Sequence, residues 1–248
     1  MILFPRSISH NVRSFRANFS RNKNIYSEVI ILKKILFFLF FISVISSAAV
    51  PVRASGDFDS TVFFGDSTTA HMAVRGGIPK SRVWSGPGST VSFASVNRQK
   101  CVCIGNETLT LAEAVRRVKP SVLVITLGVS GGAGVLPKES FCRIYREMIL
   151  SVKKASPDTK IFVQSILPLS DKSVNYYKKL TKDSVNEANA WIREVCSSLC
   201  VPYIDSHSLL TDGNGYLKRE YQNDEYMHLT AGAYRVILAN IKKSIENN

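Results

Sequence analysis

The 248-residue sequence is short of acids, histidines and cysteines, and each shortage narrows what the chain can be. Only 19 Asp and Glu stand against 32 Lys and Arg, a net charge of +13. Five cysteines occur (Cys101, Cys103, Cys142, Cys196 and Cys200), an odd number that leaves at least one thiol without an internal bond. There is no Cys-x-x-Cys pair and no His–Cys cluster with zinc spacing, which argues against a zinc module. Cys101 and Cys103 sit two apart on a short expected strand and share a face, while Cys196 lies on a helical apolar stripe and reads as core. A disulfide framework is therefore only weakly signalled. The glycine run Gly131-Gly132-Ala133-Gly134 lacks the Gly-Lys-Ser/Thr ending of a phosphate loop and the dinucleotide-binding spacing, so nucleotide binding is rejected. No repeat or low-complexity block appears, and 45% hydrophobic with 21% charged residues excludes wholesale disorder.

The positive charge taken alone suggests nucleic acid or a membrane surface. Its distribution says otherwise. Residues 1–54 hold eight basic residues and one acid, Glu28, which leaves 24 basic and 18 acidic residues, net +6, in the other 194. Within that leader Lys33-Lys34 precede the apolar run ILFFLFFISVI (35–45), and small residues follow, ending in Val52-Arg53-Ala54. This is the layout of a secretory signal: basic region, short apolar region, small-residue cleavage site. The run falls short of the roughly 20 apolar residues of a membrane span. Cleavage and a secreted or cell-envelope location are the expectation, and a retained membrane anchor is the alternative. Residues 1–28 are long and polar for such a leader; either translation starts later, near Val29 or Leu32, or they form a basic cytoplasmic tail.

One domain is expected over 55–248. Residues 61–65 (TVFFG), 122–127 (VLVITL), 160–166 (KIFVQSI) and 201–205 (VPYID) are continuous apolar runs, as buried parallel strands should be, and Val83-Trp84 is a weaker fifth. Between them, Phe141, Ile144, Tyr145, Met148, Ile149 and Val152 follow helical spacing, as do Val185, Ala188, Ile192, Val195, Cys196 and Leu199. A shorter stripe, Leu111 to Val118, stops before Pro120, and a last helix begins near Thr230. The alternation predicts a three-layer α/β/α sandwich on a parallel sheet. In such sheets the site lies at the carboxyl ends of the strands.

There the first strand runs into Gly65-Asp66-Ser67, which places a Ser hydroxyl and its N–H at the start of a helix. Such a Ser can be a plain helix cap, and it becomes a nucleophile only if a base takes its proton. Four histidines exist. His10 lies in the leader, His71 is expected on the surface of the first helix, and His207 follows the last strand, where it could line the cleft. His228 stands directly before the final helix, with Asp224 and Glu225 just upstream. A loop His beside two acids fits a base and its orienting carboxylate, and a structural His before a cap is the plainer alternative. Asp66 reads as a positioning residue in the turn, Asp205 as structural, and Ser165 has no base nearby in sequence.

Gly65-Asp66-Ser67 after a first strand, together with an acidic-x-x-His-Leu segment before a C-terminal helix, resembles the SGNH/GDSL hydrolase family over nearly all of residues 58–246. The resemblance implies a flavodoxin-like α/β/α fold with a five-stranded parallel sheet, and esterase, lipase or carbohydrate deacetylase chemistry without a metal or organic cofactor. It implies Ser67 as nucleophile, His228 as base, and Glu225, three residues before the His, as first choice for the acid, with Asp224 second. Gly88, in Ser85-Gly86-Pro87-Gly88, would offer an N–H to the oxyanion. The sequence departs at the third block. Gly128 fits the family's Gly-x-Asn, but Ser130 stands where the Asn side chain should donate. Loss of one such donor typically lowers kcat by about 10²–10³. Ser130 itself, an N–H of Gly131 or Gly132, or water would have to compensate.

The expectation is an exported serine esterase acting on a small-molecule or polysaccharide ester, with a short acyl group such as acetyl. It has no nucleic-acid partner, and touches a membrane only through an uncleaved leader. The alternative is a weak or inactive glycan-binding or envelope protein on the same fold.

Overall fold

The five apolar runs become strands because their side chains alternate between two buried layers. The computed structural model describes residues 58–86 and 91–248; the leader 1–54 and Gly88 lie outside these residues. All described residues fall in one unit, Val50–Asn248.

Strands β1 (Thr61–Gly65), β2 (Val83–Trp84), β5 (Val122–Thr126), β6 (Lys160–Gln164) and β7 (Tyr203–Ile204) form one sheet in the order β2-β1-β5-β6-β7, and every neighbouring pair is parallel. Strands β3 (Val102–Ile104) and β4 (Glu107–Leu109) form a separate antiparallel hairpin. Leaving that hairpin aside, the sheet order is the flavodoxin-like 2-1-3-4-5, with its switch point at β1.

Val62 and Phe64 of β1, with Leu123 and Ile125 of β5, face one core. They pack there with Val115 of α2 (Leu111–Val118), Tyr145 and Ile149 of α3 (Lys138–Ala155), and Ile192 of α4 (Lys182–Ser198). Phe63, Val124 and Phe162 face the other core with Met72 of α1 (Ser67–Arg75) and Tyr234 and Ile237 of α6 (Ala231–Glu246). A short helix, α5 (His207–Leu210), follows β7. The sheet is thus a middle layer with helices on both faces, as expected. Burying one such Phe or Ile side chain contributes about 1.5–3 kcal/mol. Phe64→Ala, at a fully buried position, costs about 3–5 kcal/mol.

The strands end earlier than the apolar runs do. Leu127 and Ile166 remain buried but lie past the last paired residues, where the chain turns out of the sheet to build loops. Helix α2 opens with a reciprocal cap between Thr110 and Glu113 and closes on Lys119 in the left-handed region, just before Pro120. Cys101 is buried one residue ahead of β3, whereas Cys103 on β3 is exposed, so the two do not share an environment; all five thiols are free. No helix among the described residues is long and apolar enough to cross a membrane.

Candidate active site

At the carboxyl end of β1 the chain must turn sharply into α1, and Gly65 permits it. A Cβ on Gly65 would lie 2.1 Å from Thr69 Oγ1 and 2.2 Å from the Thr126 carbonyl, so only glycine fits between β5 and the first helical turn. Asp66, not Ser67, is the helix cap: its Oδ1 accepts from the Thr68 N–H (3.2 Å) and hydroxyl (2.8 Å). Burial pushes its carboxyl above the usual range. Ser67 is thereby left at the first helical position with its hydroxyl free to face the cleft. The Tyr234 hydroxyl of α6 donates to the Thr68 carbonyl (2.7 Å), which ties the helix that follows His228 to the helix that carries Ser67.

His228 sits on a turn that Asp224 organises. Oδ1 of Asp224 accepts the N–H groups of Tyr226 (2.8 Å), Met227 (3.1 Å) and His228 (3.2 Å). Its other oxygen, Oδ2, holds His228 Nδ1. Burial of Asp224 opposes ionisation, but the hydrogen bonds from His228 and Tyr226 outweigh it and hold the carboxyl below its ordinary range. An ionised Asp224 assigns the proton to Nδ1, which leaves Nε2 as an acceptor. Nε2 lies 3.3 Å from Ser67 Oγ, so the Ser hydroxyl donates to it.

Glu225, first choice from the sequence, points elsewhere. Lys172 Nζ and the Tyr176 hydroxyl (3.0 Å) bind its two carboxylate oxygens. Lys172 is the main reason its carboxyl lies below the usual range. The correction has a geometric cause. The three N–H bonds curl the chain around Asp224, so the acid four residues upstream meets the ring and the one three upstream faces out.

The third block forms a tight loop. The Ala133 N–H reaches back to the Gly128 carbonyl (2.7 Å), and Gly131 has φ +78°. A Cβ on Gly128 would lie 2.7 Å from Ile166 Cδ1. Ser130 is exposed; its carbonyl accepts from the Phe93 N–H (2.8 Å). Ser130 and Gly131 line a cleft of about 520 Å³ together with Ser67, Tyr176, Tyr177 and Met227.

His71, expected on the surface, instead packs against His228, with ring centroids 4.7 Å apart. Burial, and then the nearby Arg75 charge, lower its pKa to about 4, so at neutral pH it is uncharged. Its Nδ1 is buried and has no hydrogen-bond partner among the described residues. The missed signal was the spacing: residue 71 lies one turn after Ser67, on the same face of α1. His207 does not line the cleft; its Nδ1 lies 3.0 Å from the Ile166 carbonyl, where it serves the fold. Ser165 is buried and accepts the N–H groups of Ser206 (3.1 Å) and His207 (2.9 Å). Asp205 holds Ser208 at the start of α5. Among the described residues no group of three His, Cys, Asp or Glu is placed to hold a metal ion.

A hydroxyl, an imidazole and a carboxylate in series are the parts of nucleophilic acyl transfer. Comparison with known proteins points the same way. Among solved structures, a GDSL-like lipase from Bacteroides thetaiotaomicron is similar at TM-score 0.57 and 19% identity, covering 75% of this chain and 87% of its own. A carbohydrate esterase of family 3 from Talaromyces cellulolyticus is similar at 0.50 and 16%, covering 75% and 96%. An acetyl xylan esterase is similar at 0.51 and 14%, covering 75% and 99%. At these identities the likeness is one of fold. No curated protein sequence matches. The family model of the GDSL-like lipases and acylhydrolases matches residues 63–236, the stretch that carries both Ser67 and His228, and the chain belongs to that family.

Proposed function

We propose that this chain is an exported serine esterase that removes a short acyl group, such as acetyl, from a small-molecule or polysaccharide ester. One observation carries the reading: Ser67 Oγ lies 3.3 Å from His228 Nε2 while Asp224 holds the other ring nitrogen. Family membership supports an ester substrate, and the fold likeness to carbohydrate esterases supports acetyl as the acyl group. The leader's secretory layout supports export.

In the proposed cycle Ser67 Oγ attacks the ester carbonyl and its proton passes to His228 Nε2. Asp224 stabilises the resulting imidazolium. The Ser67 N–H, at the positive end of α1, faces the developing oxyanion, with Ser130, Gly131 or Gly132 assisting and Gly88 as a further donor. Collapse breaks the ester C–O bond, and the departing alkoxide takes the proton from His228. Water then attacks the acyl-enzyme, His228 accepts its proton, and return of that proton to Ser67 Oγ releases the acid.

The exposed position of Ser130, where the family has Asn, favours a second reading: a glycan-binding protein of low or no activity. A chain-length series of p-nitrophenyl esters separates the two. Turnover that is highest on acetate and falls with acyl length supports the esterase; folded protein inert on every ester contradicts it. N-terminal sequencing of the mature protein tests export, with a terminus near Ser55 expected and retention of residues 29–52 against it.

A further inference from the structure

We infer that the ester this site accepts carries a negative charge on its alcohol portion, recognised by Lys178 and Lys179 on the cleft wall; this rests on the esterase reading above. The wall is the segment of residues 176–180, which lines the same cleft as Ser67, Ser130 and Gly131. It is supported at two places. Gly134 has φ +70°, and a Cβ there would lie 2.0 Å from the Lys179 carbonyl, so the wall packs directly on the glycine loop. Tyr176 also packs against Tyr226, with ring centroids 4.0 Å apart and planes tilted by 55°, and donates to Glu225. The Ser170 N–H donates to the Tyr226 carbonyl (2.9 Å), and Leu180 is buried. The two lysines are therefore carried on backbone fixed at both ends beside the catalytic turn.

The charge balance around the cleft gives the sign. The carboxylates of the turn before His228 and of the α1 cap are already occupied. Asp224 is bound to His228, Glu225 is paired with Lys172, and Asp66 is buried, hydrogen-bonded to Thr68 and pushed toward its neutral form. Lys182, further along, donates to the Asn214 carbonyl (2.9 Å) and lies over the Tyr216 ring. Lys178 and Lys179 have no carboxylate partner among the described residues. Two uncompensated cations thus border a concave site, where a field of one sign gathers oppositely charged substrate and raises its capture rate. Val129 and Ala133 form an apolar part of the lining suited to an acyl methyl. Carboxylate and phosphate share the chemistry that would meet the lysines.

Three acetylated sugars of one ring type test the inference: O-acetyl glucose, O-acetyl glucuronate and O-acetyl glucose 6-phosphate, with acetate release as readout. The charged pair should exceed neutral sugar in kcat/KM by about tenfold at low salt, in the range of electrostatic steering. That advantage should shrink as ionic strength rises from about 20 mM to about 500 mM. The double substitution Lys178→Gln with Lys179→Gln should reduce the charged-to-neutral ratio severalfold, whereas Lys154→Gln, on exposed α3 surface, should leave the ratio intact. A preference for glucuronate over the 6-phosphate identifies a carboxylate as the recognised group, and the reverse a phosphate; either supports the inference. Equal, salt-independent kcat/KM on all three sugars overturns it while leaving the esterase standing. No acetate from any of the three, together with no turnover of p-nitrophenyl acetate, overturns both.

Discussion

The imidazoles of His71 and His228 meet with centroids 4.7 Å apart and planes at 70°, so the proposed base has a second histidine as its neighbour. The neighbour is neutral at pH 7, because burial and Arg75 depress its pKa to about 4. In the proposed cycle a neutral ring beside His228 would support the imidazolium without competing for its proton. His71→Phe keeps such a ring and should hold kcat within about threefold of wild type. His71→Ala should lower kcat by roughly tenfold with little change in KM, the size of a modest cation–π loss. Steady-state kinetics of both variants check this; equal kcat in the two removes the ring from the account.

The same histidine sets a pH dependence of stability. Its folded pKa, about 4, lies below the ordinary 6.5, so between those values the unfolded chain binds the extra proton. Stability is therefore fully present above about pH 6.5 and declines as pH falls toward 4. The full shift would correspond to about 3 kcal/mol, and partial exposure of the ring reduces the expected loss to about 1–2 kcal/mol. Urea unfolding at pH 7 and at pH 4.5 measures it. His71→Phe should flatten this part of the profile, and an unchanged profile assigns the loss to other groups.

The two adjacent acids should behave differently. Asp224→Asn leaves the turn's hydrogen-bonding oxygen but removes the charge that orients His228, and should lower kcat by about 10³–10⁴. Glu225→Gln disturbs only an exposed contact with Lys172 and Tyr176 and should change kcat less than tenfold, as exposed ion pairs contribute little. Parallel assays on p-nitrophenyl acetate decide between them, and a larger loss at Glu225 reverses the assignment.

Ser130→Asn should raise kcat by at least tenfold, because an Asn side chain reaches further toward the oxyanion and one such donor is worth about 10²–10³. An unchanged kcat in the purified variant shows that loop N–H groups already supply the donor.

These contrasts mark how far the sequence could be read. Continuous apolar runs such as residues 122–127 announced buried parallel strands, and Gly65-Asp66-Ser67 with His228 located the cleft. Only the first hairpin strand, around Cys101 and Cys103, is legible in the sequence; its partner is not, although Gly105-Asn106 is a two-residue turn signal, because β4 has three residues and two of them, Glu107 and Thr108, are polar. The choice of Asp224 over Glu225 depends on three backbone N–H groups converging on one oxygen, a property of the folded turn. The Tyr176–Lys179 wall follows no motif; tertiary contacts with Gly134 and Tyr226 bring it to the cleft.

The central claim is that His228 activates Ser67 as a nucleophile, and labelling by a fluorophosphonate tests it most directly. The account predicts one covalent adduct on wild-type protein, located at Ser67 by peptide mass mapping, absent in Ser67→Ala and slowed by several orders of magnitude in His228→Ala. Folded wild-type protein that takes up no label, or Ser67→Ala that labels as fast as wild type, would contradict it.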